Sequence, residues 1–353
     1  AYADEAKVDL AKDKVGSPAE MLDMAQYCGT KDIKVAMADG YGANSWRKIT
    51  RAVFEAEAKK CPNIKEVRYT DAQGNVQKAI SDIQGLVAQK FDVILVFPDG
   101  GEAVVRAMRQ ATSAGAVVIP YMVGANFPGV RGKDFEMVVS ESVEANGRVK
   151  AQWIADHLNG KGNVIVLGGT PGNPTSQAES VGWKEVFAKY PDIKVLDYQA
   201  ADWDTTKANE IMASYLTTYG DEIKGVFCAN DTMAYGAIEA LRAEGLAGKI
   251  PVVAYDGGAQ AIEYILKDEL LVTCYTDPYW GGGIALSLAH AASTGKYKPS
   301  DEPQEHREFY GPTLIVTKAD AQAFFDKHHK SHPEYNWGDY FGPTNGQIKY
   351  NRY

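Results

Sequence analysis

The chain has 353 residues, too many for one ordinary core and enough for two domains of roughly 150 residues each. Hydrophobic residues make up 45% and charged residues 24%, with 34 glycines, a globular α/β profile that excludes a disordered or fibrous protein. A net charge of -9 with no dense Lys/Arg run argues against nucleic acid or an anionic membrane surface as partner, and no stretch approaches ~18 consecutive apolar residues.

The opening Ala1-Tyr2-Ala3-Asp4 has the look of an exported protein after removal of its signal peptide. Residues 1–32 read as an N-terminal extension. From Ile33, strand-like apolar runs alternate with segments of helical period, the pattern of a parallel sheet covered by helices. Ile33 to Ala38 is a strand, followed by a helix with Trp46, Ile49, Val53 and Ala56 on one face. A strand from Ile64 to Tyr69 leads to a helix that places Val76, Ala79, Ile80, Ile83, Leu86 and Val87 at spacings of three and four. Phe91 to Phe97 is continuously apolar, as a strand buried on both faces should be, and ends in Pro98-Asp99-Gly100-Gly101.

After Asp134 to Ser140 the pattern restarts. Strands are expected at Asn163 to Leu167, Ile193 to Tyr198, Gly225 to Ala229, Ile250 to Tyr255 and Leu271 to Tyr275, with helices between them. Beyond about residue 318 a tail carries His328, His329, His332, Trp337, Tyr340 and Phe341, and its histidines read as solvated surface. Cys228 and Cys274 fall on strands separated by a third, about 9 to 10 Å apart and beyond disulfide reach. An oxidising compartment would join Cys28 to Cys61, and a reducing one would leave both free. No Cys/His set has zinc-like spacing, so neither metal nor cofactor is expected.

Ligands of open α/β sheets bind beyond the carboxyl ends of strands, which singles out the loops there. Asp39-Gly40-Tyr41-Gly42-Ala43-Asn44-Ser45-Trp46-Arg47 lacks the third glycine of a dinucleotide fingerprint and sets a bulky ring where a pyrophosphate would approach. Asn44, Trp46 and Arg47 instead offer an amide, a flat apolar face and a forked donor. The alternative is that Ser45 caps the helix and Trp46 packs in the core. Trp203 in Asp202-Trp203-Asp204 suits stacking on a sugar ring, while Asp204 suits a helix cap. Asn230 and Asp256 end two further strands and can bond vicinal hydroxyls, and Asp231 reads as a cap. There is no GxSxG, HExxH or GxxxxGK[ST], and an Asp39/Asp256 glycosidase pair lacks a reason for a raised pKa. The chain is therefore read as a binding protein and not an enzyme.

The segments Asn44-Ser45-Trp46-Arg47, Ala201-Asp202-Trp203-Asp204, Gly225-Val226-Phe227-Cys228-Ala229-Asn230-Asp231-Thr232-Met233-Ala234, Val252-Val253-Ala254-Tyr255-Asp256-Gly257 and Leu271-Val272-Thr273-Cys274-Tyr275-Thr276-Asp277-Pro278 occur in order and spacing that resemble ribose-type periplasmic sugar-binding proteins, the solute-binding components of ABC transporters. The resemblance covers about residues 33 to 317. It implies two doubly wound parallel-sheet α/β domains joined by a three-segment hinge, the type I periplasmic binding protein fold. The domains would be 33–140 plus 277–311 and 141–276 plus 312–353. It further implies a periplasmic monomer that closes on a small neutral sugar or polyol and presents it to a membrane permease.

The ligand groups implied by this resemblance are Asn44, Trp46 and Arg47 from the first domain and Trp203, Asn230, Asp256 and Thr276 from the second domain and hinge. The ribose-like Asp-Arg pair at the end of the fourth strand is absent, since that place reads Tyr121-Met122-Val123. Gln177 stands nearest to the second domain's ligand arginine. Asp39 and Tyr41 are expected to compensate, and the losses argue against ribose and for a deoxysugar, furanose, alditol or similar polyol. A periplasmic sensor subunit is an alternative. The effector core of a sugar-responsive repressor is a weaker one, because residues 1–30 carry Asp4, Glu5, Asp9, Asp13, Glu20 and Asp23 where a basic DNA-binding helix pair would be needed.

Overall fold

Alternating strands and helices build two α/β units, each around its own sheet. The computed structural model describes residues 28–124, 127–141, 143–276, 278–295, 308–311 and 314–330. The expected N-terminal extension before residue 28, Asp277, and His332, Trp337, Tyr340 and Phe341 of the tail lie outside these residues.

The first unit comprises β1 (Ile33–Asp39), α1 (Ser45–Ala58), β2 (Ile64–Asp71), α2 (Val76–Ala88), β3 (Val93–Phe97), α3 (Glu102–Ser113) and β4 (Val117–Pro120). A short strand β5 (Val138–Glu141) leads to the second unit: α4 (Val143–His157), β6 (Lys161–Gly168), α5 (Pro174–Phe187), β7 (Asp192–Ala200), α6 (Thr205–Tyr219), β8 (Ile223–Cys228), α7 (Asp231–Ala243), β9 (Val252–Asp256), α8 (Ala259–Leu266) and β10 (Val272–Tyr275). The chain then returns through α9 (Ala285–Ser293), β11 (Glu308–Gly311), β12 (Leu314–Val316) and the short helix α10 (Ala321–Phe324).

The first sheet has the order β2-β1-β3-β4 and is parallel throughout. Its strands are buried on both faces because side chains alternate between two helical layers. Val35, Met37, Leu95 and Phe97 pack with α1 and α9, whereas Ala36, Ala38, Ile94 and Val96 pack with α2 and α3. The second sheet has the order β12-β10-β9-β8-β6-β7, parallel except for the antiparallel edge strand β12. Val164 and Val166 face α4 and α5, and Ile165 and Leu167 face α6 and α7. Both sheets are thus doubly wound. Strand order reverses between β1 and β3 in the first and between β6 and β8 in the second, so crevices open at the carboxyl ends there.

Between the units, β5 and β11 pair in parallel, with Ser140 opposite Tyr310 and Glu141 opposite Gly311. Cys28 and Cys61 form a disulfide with Cα atoms 5.3 Å apart, tying the lead-in of β1 to the turn after α1. Cys228 and Cys274 are free and buried, on strands separated by β9. Among the described residues no helix is long and apolar enough to cross a membrane. The tail differs from its expected solvated state. His328 and His329 are buried, because Phe324 and His328 pack on the ring of Tyr275 at 4.9 and 5.6 Å between centroids.

Candidate ligand-binding site

The carboxyl ends of the two sheets face each other across a cavity lined by Asn44, Trp46, Arg47, Phe97, Met122, Thr175, Trp203, Ala229, Asn230, Tyr255 and Asp256. The space left within it is small, about 30 Å³. Three of these residues, Met122, Trp203 and Asp256, hold φ angles of 55°, 60° and 140°. Positive φ outside glycine costs energy and concentrates where function requires it.

On the first sheet's side, Arg47 is the centre. Its guanidinium donates from Nη1 to Asp39 Oδ1 at 2.5 Å and to Asp99 Oδ2 at 2.9 Å, and from Nη2 to Asp99 Oδ1 at 2.9 Å. Its Cζ lies 3.4 Å above the centroid of Phe97. These contacts follow from strand order: β1 and β3 are neighbours, so the groups just beyond their ends, Asp39 and Asp99, converge on a side chain from the first turn of α1. Burial alone would lower the pKa of Arg47, but Asp99 and Asp39 outweigh it and raise it. Burial is likewise the largest influence on Asp99 and raises its pKa despite the opposing pull of Arg47. Asp39 also accepts from Tyr69 Oη at 2.9 Å and from the Tyr41 amide at 3.1 Å.

The two glycines of the loop have packing reasons. A Cβ on Gly40 would lie 2.4 Å from Asp99 Oδ2, and one on Gly42 would lie 2.1 Å from Tyr69 Oη. They clear space for the acid and the phenol, not for a pyrophosphate.

The second side presents strand ends. Asn44 and Asn230 both cap helices: their Oδ1 atoms accept from the Arg47 amide at 2.9 Å and the Met233 amide at 3.0 Å. Asn44 rather than Ser45 is thus the cap of α1, and Asn230 rather than Asp231 the cap of α7. Asp231 is a buried brace for the neighbouring loop, accepting from the Gly257 and Gly258 amides at 2.9 and 2.8 Å and from Thr273 Oγ1 at 2.7 Å. His329 donates from Nε2 to the Gly257 carbonyl at 2.9 Å, which fixes its tautomer. Burial, with Asp231 and Glu179 nearby, pushes the Asp256 carboxyl well above the usual range. Behind it Lys150 pairs with Glu179 at 2.5 Å and donates to the Cys228 carbonyl at 2.9 Å, while burial raises Glu179 to about 7.

Both tryptophans are buried and spend their N–H groups on the protein. Trp46 Nε1 donates to the Thr276 carbonyl at 3.3 Å and Trp203 Nε1 to Thr170 Oγ1 at 3.2 Å. What they offer the cavity is ring surface. Thr276 Oγ1 donates to Glu141, which also accepts from Tyr255 Oη at 3.1 Å.

Of the residues expected from sequence, Asn44, Trp46, Arg47, Trp203, Asn230 and Asp256 line the cavity together. Asp39, Tyr121 and Thr276 lie behind its wall: Asp39 holds Arg47, Tyr121 packs edge-on to Phe97 at 5.1 Å between centroids, and Thr276 holds Trp46. Tyr41 is half-buried in the same loop but is not among the lining residues. Gln177 is not brought to the site. It is exposed on α5, off the buried stripe of Thr175, Ala178, Glu179 and Gly182, and lines a separate groove with Phe127 and Pro128. No Asp39/Asp256 acid pair faces the cavity, since Asp39 is engaged by Arg47.

Asp99, Asn173 and Thr175 had no place in the expected ligand set. Asn173 Nδ2 donates to Asp99 Oδ1 at 2.7 Å and Thr175 Oγ1 donates to the Met122 carbonyl at 2.6 Å, both from one unit to the other. The units approach so closely that a Cβ on Gly101 would lie 2.4 Å from the Gly172 carbonyl oxygen. A signal existed for Asp99, which ends a strand before a helix as Asp231 does.

This architecture and cleft coincide with a known family. Residues 35–297 match the model of the periplasmic binding protein domain. The chain belongs to that family. Among its relatives, the xylitol-binding protein of Mycolicibacterium smegmatis is 29% identical over 69% of this chain and 66% of that protein, so the alignment spans just under two thirds of the relative. The ribose import binding protein RbsB of Bacillus subtilis is 31% identical over 69% of this chain and 76% of that protein. A solved ABC transporter periplasmic solute-binding protein from Actinobacillus succinogenes, with bound D-allose, superposes with a TM-score of 0.69 at 28% identity, covering 83% of this chain and all of that one. The resemblance to ribose-type periplasmic sugar-binding proteins, read from five short segments, thus holds along most of this periplasmic binding protein.

Proposed function

We propose that this periplasmic binding protein captures one compact, neutral monosaccharide or alditol between its two units, closes on it, and presents the closed form to the permease of an ABC transporter. The observation that carries this is the lining of the cavity: two tryptophan faces, Trp46 and Trp203, set among the hydrogen-bonding groups of Asn44, Arg47, Asn230 and Asp256, drawn from both units. Aromatic faces cover the C–H surface of a sugar, and amides, guanidinium and carboxylate meet its hydroxyls.

Charge sets the ligand class. Arg47 stands between two carboxylates, Asp39 and Asp99, and Asp256 faces it from the other side. An anionic ligand would meet surplus negative charge, whereas a polyol donates to Asp256 and accepts from what remains of the Arg47 fork. Met122 stands where a ribose binder's clamp would be, so an apolar wall replaces a charged grip there. Relatives named for xylitol, ribose and allose support a pentose- or hexose-sized polyol.

Closure requires contacts available only when the units meet, because a ligand shifts an equilibrium only through differential interactions. The Asn173–Asp99 and Thr175–Met122 hydrogen bonds are of that kind. Excluding water then strengthens the ligand's own hydrogen bonds. The three crossings near residues 140, 277 and 311 are the proposed hinge, with domains 33–140 plus 277–311 and 141–276 plus 312–353.

A thermal-shift screen of xylitol, other alditols, pentoses and hexoses, followed by calorimetry on the hits and small-angle scattering with and without ligand, tests this. A ligand at ~100 times its Kd should add about 2.7 kcal/mol of apparent stability and reduce the radius of gyration. No stabilisation by any polyol would overturn the ligand class, and a hit without compaction would overturn closure.

A further inference from the structure

The disulfide between Cys28 and Cys61 lies against a histidine ring. His290, on α9, is fully buried, and among the described residues neither Nδ1 nor Nε2 has a hydrogen-bond partner. A buried polar group left unmatched carries its whole desolvation penalty and calls for a reason. Here a nitrogen of the ring and the two sulfurs lie within 4.8 Å of one another. Ligand atoms on a single tetrahedral zinc, bound at about 2.0–2.3 Å, stand roughly 3.3–3.8 Å apart, so the ring nitrogen already lies near enough, and the two bonded sulfurs would have to part to that spacing once reduced.

We propose that Cys28, Cys61 and His290 form a redox-gated site for a thiophilic divalent cation such as Zn²⁺, closed in the disulfide form and opened by reduction. A dithiol opens it by exchange: its thiolate attacks one sulfur, its second thiol resolves the mixed disulfide, and it leaves as its own disulfide. Cys28 and Cys61 thereby gain two electrons and two protons. The cation displaces those two protons as both thiolates bind it, and His290 supplies a neutral imidazole nitrogen. A water completes the coordination at the half-buried Cys28 end. The metal then takes over the work of the disulfide, holding the lead-in of β1 to the turn after α1 across a sequence separation of 33.

The test is a Co²⁺ titration of the full chain, anaerobic, after reduction by a dithiol and removal of the reductant. Reduced protein should develop a thiolate-to-cobalt charge-transfer band in the near ultraviolet and the strong visible bands of a four-coordinate centre, both abolished by Zn²⁺. Oxidised protein should develop neither. The C28S/C61S double variant retains Cys228 and Cys274 and should also show no such band. H290N should keep a sulfur band but bind at least about tenfold more weakly. A reduced protein without the band, a double variant that retains it, or an H290N variant of unchanged affinity would overturn the site. If H290N does not fold, X-ray absorption of the zinc-loaded reduced wild type decides: two sulfurs with an imidazole support it, and a shell lacking either refutes it.

Discussion

The two walls of the cleft solve the same problem by opposite means. On the first sheet's side a full positive charge is buried and matched by two acids, Asp39 and Asp99, with Phe97 under its plane. On the second side the cavity-lining groups are helix-capping Asn230 and the carboxyl of Asp256, whose pKa is raised by burial and by its acidic neighbours Asp231 and Glu179. The first wall is electrostatically saturated before any ligand arrives. The second holds a carboxyl whose charged form burial disfavours. Rigid positioning therefore resides in one wall and responsiveness in the other, with Asp99 and Asn173 joining them.

Breaking the saturated wall should do the most damage. Asp99→Ala removes the bidentate partner of Arg47 and the acceptor of Asn173 together. Truncating one member of a buried ion pair costs about 3–5 kcal/mol, so denaturant melts should register a loss near the lower figure, since Asp39 remains. Affinity for the polyol found in the screen should fall by at least about 100-fold. A variant with unchanged stability would show that Arg47 is held by Asp39 alone.

The responsive wall should fail differently. Asp256→Ala should weaken binding by roughly 30- to 150-fold, about 2–3 kcal/mol, because the ligand's hydroxyls lose their acceptor. The sign of its pH dependence follows from the raised pKa. A ligand that donates hydroxyls to the ionised carboxylate favours the deprotonated form, so binding should release protons and affinity should decline as pH falls through the pKa of the free protein. Calorimetry in buffers of different ionisation enthalpy measures that release, which Asp256→Asn should abolish. Proton uptake would mean that Asp256 donates to the ligand instead.

The two walls were unequally legible in the sequence. Asn44, Trp46, Arg47, Trp203, Asn230 and Asp256 can be picked out because each lies at the end of a strand or within the loop and first helical turn that follow one, and the alternation of apolar runs with helical periods locates strand ends locally. Asp99 also follows a strand, yet its role depends on β3 lying beside β1, and a neighbour relation between strands is not a local property. Asn173 and Thr175 come to the cleft only because the units meet. Gln177 was drawn in by counting along a loop whose helix begins at Pro174, after which the buried stripe passes through Thr175 and Ala178. His328 and His329 differ from the sequence expectation for a similar reason: a polar tail reads as solvated, whereas Tyr275 and Gly257 receive it.

The bond between the walls offers a smaller and sharper test. Asn173→Ala removes one hydrogen bond that exists only when the units are together, although Asn173 also caps α5 through the Ser176 amide at 2.9 Å. Asn173→Asp keeps a capping oxygen but turns a donor toward Asp99 into a like charge, which separates the two roles. Alanine should cost about 0.5–1.5 kcal/mol of closure, up to roughly tenfold in Kd, and aspartate should cost more binding with less loss of helix stability. Equal Kd for both variants and wild type would remove this contact from closure.

The smallest effect expected is none, and it decides which turn of the second unit touches the ligand. Gln177 is exposed in a groove with Phe127 and Pro128, one helical turn beyond Asn173 and away from the residues that line the cavity. Gln177→Ala should leave Kd within about twofold and stability within ~0.5 kcal/mol, as for an ordinary surface substitution. A loss of tenfold or more by calorimetry would mean that α5 shifts along its axis when ligand binds, carrying Gln177 into the cavity. The responsive wall would then include α5 as well as the loop at Asp256.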